Sequence, residues 1–326
     1  MRFIASGEGQ VESGCSPIKH ECVRIGFFIE AIMKRLFIII SFLLLGIVTF
    51  NYLCQGQIPK NNSPKNLSGS VPRYISLAPS TTEILFSLGL DEEIVGVSSF
   101  CNYPPQAQEK AKIGDFSNPN IEKILSLKPD YIFCTGLEQA NVVLKLRQLG
   151  LKVYVFDPVN IRELLATISE TGSITNRREQ AQELTQRMRQ RIEEITSLTK
   201  LISQEKKPKV FIEIWHDPLT TAGEGSFVDE LIDLAGGVNI AHNTKRPYST
   251  FSQEEVIRRD PDYIIMAYMD KEQPVKLVEK RFGWDSISAV RNKRIYNDID
   301  PDLLLRPGPR IVQGLEELYK KLNIKE

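Results

Sequence analysis

The sequence predicts an α/β protein: two lobes built on parallel sheets, joined by a long backbone helix, with a cleft between them. Three observations carry this. First, a helix-then-strand unit occurs twice: residues 121–133 read IEKILSLKPDYIF and residues 253–265 read QEEVIRRDPDYII, an offset of 132 (253 minus 121). Glu122 falls on Glu254, and Pro129-Asp130-Tyr131-Ile132 falls on Pro261-Asp262-Tyr263-Ile264. Second, strand-like and helix-like stretches alternate on both sides of the chain's middle, as in βαβ units. Third, residues 160–203 carry apolar side chains at spacings of three and four, the period of an amphipathic helix.

The first lobe is expected over 72–158. RYISLAP (73–79) alternates into a short strand. STTE (80–83) reads as a capping box, with Ser80 bonding the backbone N–H of residue 83 and Glu83 bonding back to that of residue 80. The helix that follows ends at Gly89. IVGVSS (94–99) is a strand, CNYPPQAQEK a turn-rich loop, and the first copy of the repeat gives a helix at about 120–127 and a strand at 130–134. A helix at 140–150 and a strand at 152–158 complete the lobe. The link over 159–204 has apolar residues at 161, 164, 165 and 168, then at 181, 184, 188, 192, 195, 198 and 202. Gly172 and SITN stand in its way. As one helix it would span about 40 residues, or ~60 Å, and act as a strut.

The second lobe, 205–326, repeats the plan. KVFIEIW (209–215) is a strand, and SFVDELIDLAGG (226–237) is a helix matching STTEILFSLG. Loop 238–251, the second copy of the repeat, a strand at 294–298 and a last helix at about 309–322 follow.

The chain of 326 residues has room for two domains, and its 41 basic and 41 acidic residues balance, so no polyanion such as nucleic acid is expected as partner. Met33-Lys34-Arg35 precedes LFIIISFLLLGIVTF (36–50), fifteen residues without a charge. A basic stretch before an apolar one is the form of an export signal. Cys54 then stands where a lipid-modified cysteine would, although Leu53 before it is larger than such sites use. The alternative is an uncleaved anchor over 36–53, near the lower limit for a spanning helix. So 33–54 is read as signal or anchor, 55–71 (polar, with Pro, Asn, Ser and Gly) as a flexible tether, and 1–32 as an upstream extension, with Met33 an alternative start. Either way the folded part is expected outside the cytoplasm, tethered by 36–54. Cys101 and Cys134 could pair there or stay buried and free. Three histidines and no Cys/His cluster predict no metal site.

Six segments in order, PRYISLAPSTTEILFSLGL, VGVSSFCNYPPQA, NIEKILSLKPDYI, AGGVNIA, FSQEEVIRRDPDYII and RPGPRIVQGLEEL, give the region 72–320 a resemblance. It resembles the substrate-binding proteins of bacterial ABC importers, in the iron-siderophore–cobalamin class, and the periplasmic cobalamin-binding members above all. The resemblance implies two Rossmann-like lobes on a helical backbone. It implies a non-enzymatic carrier, a monomer, that captures cobalamin or a related corrinoid between the lobes and delivers it to a permease. Haem or a ferric siderophore is the alternative cargo. By position, the cleft aromatics of that class fall on Tyr103, Phe116 and Tyr248, and a polar contact falls on Asp302. Phe116 stands in place of a tryptophan, and so does Thr135. The class docks one surface glutamate per lobe onto arginines of its transporter, and these match Glu122 and Glu254. Each also sits where a helix's first turn favours an acid on its own.

The cleft reading also has its own physical basis. Ligands of open parallel sheets bind beyond the carboxyl ends of the strands. The loops there carry Phe100, Tyr103, Phe116, Trp215, His216 and Tyr248, and flat rings suit a corrinoid or porphyrin. The same rings would equally serve a core. Arg306 offers a planar fork for a carboxylate or amide, or an internal ion pair. His216 offers an imidazole for cobalt or iron, or an ordinary hydrogen bond. Basic residues near these loops are few, mainly Lys245, Arg246 and Arg306, which favours a neutral or weakly charged cargo. An enzyme is the remote alternative: there is no G-x-S-x-G, P-loop or H-E-x-x-H, and AGEGS (222–226) lacks the P-loop lysine.

Overall fold

The computed structural model describes residues 71–136, 139–244, 246–268 and 275–323. The apolar segment 36–53, Cys54 and the tether lie outside the described residues, as does Lys245. Residues Ser70–Glu326 form one compact unit.

That unit contains two parallel sheets. The first has the order β2-β1-β3-β4, from β1 (Tyr74–Ser76), β2 (Ile94–Val97), β3 (Tyr131–Cys134) and β4 (Val153–Val155). Its helices are α1 (Pro79–Ser87), α2 (Ile121–Ser126) and α3 (Ala140–Gln148). The second sheet takes β5 (Lys209–Glu213), β8 (Val238–Asn239), β10 (Tyr263–Met266) and β11 (Ile295–Tyr296), in the order β8-β5-β10-β11. The two orders are the same. β3 pairs β1 as β10 pairs β5, with Tyr131 opposite Tyr74 and Tyr263 opposite Val210. Strands of parallel sheets are covered on both faces, which is why YIIM of β10 is buried at every position.

The sequence repeat is a repeat of hydrogen bonds. Asp130 accepts from the backbone N–H of Arg73 at 2.8 Å, and Asp262 accepts from that of Lys209 at 2.8 Å. Each aspartate's own N–H returns a bond to the same residue's carbonyl, again at 2.8 Å in both lobes. The Pro-Asp-Tyr-Ile turn thus staples each central strand to its neighbour. The helices of the repeat, α2 and α7 (Gln253–Arg259), are capped alike: Asn120 accepts from the N–H of Lys123 and Ser252 from that of Glu255.

The capping box expected at 80–83 does not form. Pro79, with its preset φ, already stands in the first turn of α1, and Ala78 is the N-cap. Ser80 is inside the helix, and the Glu83 carboxylate turns away to arginines that bind it more strongly than a backbone N–H would. The equivalent cap does form in the other lobe, where Ser226 accepts from the N–H of Asp229 ahead of α6 (Phe227–Leu234).

The link is helical but not one rod. It consists of α4 (Ile161–Ile174) and α5 (Arg178–Thr199), parted at Thr175–Arg177, where Asn176 takes a φ of 58°. The joint overlaps SITN (173–176), where the sequence sets a break against a single ~60 Å strut, so the link is two helices. Gly172 permits the joint, since a Cβ there would come within 2.4 Å of Ala181 Cβ. α4 packs on α1 of the first lobe, and α5 packs on α6 and on α11 (Ile311–Leu322) of the second. Leu198, expected in the buried stripe, is exposed. One apolar core nevertheless runs through both lobes and the link, from Tyr74 and Phe133 through Leu164, Leu184 and Met188 to Val228 and Leu315.

A third, antiparallel sheet belongs to the second lobe alone among the described residues. It has the order β6-β7-β9, from β6 (Trp215–His216), β7 (Leu219–Ala222) and β9 (Tyr248–Thr250). Its β9 falls inside what the sequence shows only as loop 238–251.

Candidate functional site

The loops at the carboxyl ends of the parallel strands bring the expected residues together in two groups. The first group bridges the lobes. Asn102 and Tyr103 follow β2, and Asp302 and Arg306 follow β11 on and after α10 (Asp302–Leu305). Arg306 donates to Asp302 (2.8 Å), to Asn102 Oδ1 (2.9 Å) and to Glu83 Oε1 (2.9 Å). Arg310 closes on the same carboxylate through Nε (3.0 Å) and Nη2 (2.7 Å), and its guanidinium lies 3.8 Å from the centre of the Tyr103 ring. Asn102 reaches Asp302 as well. Of the two sequence readings of Arg306, the internal ion pair is the one present. Burial disfavours the charged form of Arg310, but the hydrogen bonds and charge of Glu83 outweigh it, and its pKa is raised.

Glu83 is the residue that sequence reading missed. It is 2% exposed, and its partners lie more than two hundred residues away. Local pattern made it a cap. The signal available was the pair of arginines in RPGPR, which needs a buried acid somewhere.

The second group stands on the inserted sheet. Trp215 is paired with Thr220, and Tyr248 with Ala222, two residues further along β7. Paired residues share a face, and so do residues two apart on a strand. Trp215 and Tyr248 therefore stand on one face, 43% and 46% exposed. The His216 ring lies 5.1 Å from that of Trp215 and 5.9 Å from that of Tyr268. Behind them Glu213, fully buried at the end of β5, accepts hydrogen bonds from Tyr268 and from both terminal nitrogens of Arg281. Burial first, then the Glu213 charge, pushes the Tyr268 phenol well up. Arg281 in turn stacks at 4.6 Å on the buried Trp284.

Phe116 is half-buried in the first lobe. Its carbonyl accepts from buried Gln139, which also donates to the Leu77 carbonyl and accepts from the N–H of Thr135. Gln139 thus ties three strand-end loops together, a role with no sequence signature. Phe100 is exposed rather than part of the core.

Glu122 and Glu254 occupy the same position in α2 and α7, and both are exposed. The Ser252 hydroxyl, 2.6 Å from the carboxylate, holds Glu254 below its usual pKa. Cys101 and Cys134 are free and buried. Burial pushes the Cys134 thiol up to about 12. Among the described residues no group of three or more His, Cys, Asp or Glu side chains could hold a metal ion, and no helix is long and apolar enough to cross a membrane.

Two parallel-sheet lobes on a helical link, with strand-end loops meeting between them, define a binding protein of the transport class. The chain belongs to the periplasmic binding protein family, which matches it over residues 75–302. It is 32% identical over 267 residues to YvrC of Bacillus subtilis (strain 168), an uncharacterized ABC transporter substrate-binding lipoprotein, covering 80% of this chain and 83% of that protein. The crystal structure of the periplasmic vitamin B12 binding protein BtuF of Vibrio cholerae is similar with a TM-score of 0.66 at 30% identity, over 77% of this chain and 96% of that one. The periplasmic heme-binding protein RhuT of Roseiflexus sp. RS-1 gives 0.65 at 26%, over 78% and 98%. The protein is thus an extracytoplasmic substrate-binding component of an ABC transporter.

Proposed function

We propose that the protein captures cobalamin or a related corrinoid between its lobes and delivers it to the permease of an ABC importer. The observation that carries this is the shared, exposed face of Trp215 and Tyr248 on the sheet that follows β5. The vitamin B12-binding relatives support it, and so does the absorption of Arg306 and Arg310 by Glu83 and Asp302, which leaves a cleft suited to a neutral ligand. Phe116 completes the aromatic set. A second reading, haem or a ferric siderophore, is favoured by His216: its imidazole is exposed beside Trp215, and the likeness to RhuT points the same way.

Calorimetric titration with cyanocobalamin, haemin and a ferric siderophore tests the reading. Cyanocobalamin is expected to bind; binding of haemin without any corrinoid overturns it in favour of the second. Trp215→Ala and Tyr248→Ala should each weaken binding about ten- to a hundredfold, the loss of about 1.5–3 kcal/mol of aromatic burial.

Glu122 and Glu254 are proposed to dock the two lobes on the two-fold symmetric permease, one anion per lobe. Rim charges of this kind set orientation and encounter rate. Glu122→Ala and Glu254→Ala should leave ligand affinity unchanged and slow capture by the permease; lost ligand affinity would show the role to be misassigned. Tethering through residues 36–54, by lipid on Cys54 or by the uncleaved apolar segment, belongs to the same reading. Fatty-acid labelling that disappears in Cys54→Ser distinguishes the two.

A further inference from the structure

We propose that Glu83 sets the charge selectivity of the cleft: it neutralises the arginines that would otherwise admit acidic cargo. The inference rests on the cleft reading above. Four charged groups meet between the lobes, Glu83 and Asp302 against Arg306 and Arg310, and they balance. The geometry puts the carboxylate of Glu83 on the inner side. It is 2% exposed, it takes bonds from both arginines, and Gly308 lets the chain pass over it, since a Cβ there would lie 3.1 Å from Glu83 Oε2.

The arginines also reach Asp302 and Tyr103, both assigned to the ligand, and Asn102 beside them. Arg306 holds Asn102 and Asp302, and Arg310 lies on the Tyr103 ring. Arginine forks are the groups best suited to carboxylates. With Glu83 in place their charge is spent internally, and a neutral ligand meets a neutral wall. With Glu83 uncharged, the cluster between the lobes carries one net positive charge. With Arg310 uncharged instead, it carries one net negative charge.

The test compares ligand pairs that differ only in carboxylates: haemin with its dimethyl ester, and cyanocobalamin with a derivative in which one side-chain amide is hydrolysed to the acid. The quantity read is the affinity ratio of acid to neutral member. Glu83→Gln should move the ratio about tenfold toward the acid, and Arg310→Gln about tenfold away from it. The double variant Glu83→Gln/Arg310→Gln should return it to the wild-type value. The shifts should shrink with added salt.

A purely structural role for Glu83 would weaken both members of a pair alike and leave the ratio alone. If Glu83→Gln does not fold, Arg310→Gln and the double variant still decide. Ratios that stay at the wild-type value in the folded variants overturn the inference by itself. Wild-type protein that binds neither pair overturns the cleft reading, and this inference with it.

Discussion

In the first lobe, β1 runs into α1 through only Leu77 and Ala78; in the second, residues 214–226 separate β5 from α6 and build most of a second sheet. Much of the rest is duplicated: strand order, the register of the central strand pair, the capped helix of the repeat, and the aspartate that staples each central strand. The comparison separates two jobs. The repeated parts hold each lobe together. The unrepeated part, β6-β7-β9, carries two exposed aromatic rings on one face, Trp215 and Tyr248. The buried glutamates divide in the same way. Glu213 is satisfied wholly inside the second lobe, whereas Glu83 is satisfied across the lobes.

The sharpest way to break this comparison is Glu213→Ala. It leaves the half-buried Arg281 without its carboxylate, and removing one partner of a buried pair costs about 3–5 kcal/mol. Urea unfolding should register that loss. A cost under about 1 kcal/mol would mean that the Glu213–Arg281–Tyr268 network does not hold the second lobe.

Next come Asp130→Ala and Asp262→Ala. Each removes one hydrogen bond between a carboxylate and a backbone N–H at the start of a strand, and each should cost about 1.5 kcal/mol. Their costs should match and should add in the double variant, because the sites are far apart. Unequal costs would show that the repeat in sequence is not a repeat in energetics.

The smallest effect is a difference in pH response. The described histidines, His216 and His242, both lie in the second lobe. The hydrogen bond that His242 Nδ1 donates to Asp229, then the Asp229 charge, raises the His242 pKa. A raised folded pKa stabilises most fully below the ordinary histidine value of about 6.5, and the contribution fades as pH rises through the raised value. Thermal melts of wild type and His242→Asn should therefore differ slightly at pH 5.5 and coincide at pH 9. A gap that widens with pH would contradict the pairing.

The sequence made the lobes legible because their signals are local and doubled: β-branched and aromatic runs, capped helices, and an aspartate one residue ahead of each central strand. The matching, exposed positions of Glu122 and Glu254 were legible for the same reason. The link was legible too: the period of 161–202 gave the helices and Gly172 with SITN the joint, while the close approach of Gly172 to Ala181 is a tertiary contact that only the fold supplies. Within the candidate site, Tyr103, Trp215 and Tyr248 were legible as rings in strand-end loops, but their exposure comes only from the fold. Glu83 could not, because a carboxylate four residues into a helix looks like part of its cap. Only the fold carries Arg306 and Arg310 to it. The β6-β7-β9 sheet was illegible because its strands are two to four residues long and two of them lay inside apparent loops.

The two tryptophans of the chain occupy opposite extremes. Trp284 is sealed beneath Arg281, while Trp215 is open to solvent with its indole N–H held by the Asp217 carbonyl at 2.9 Å. The molecule therefore carries a two-colour optical reporter of its own. Trp284 should emit at short wavelength, beyond the reach of acrylamide. Trp215 should emit further to the red and be quenched readily. A guest seated on the aromatic platform would dim or shift only the red component, so one spectrum would report occupancy against an internal standard without any label.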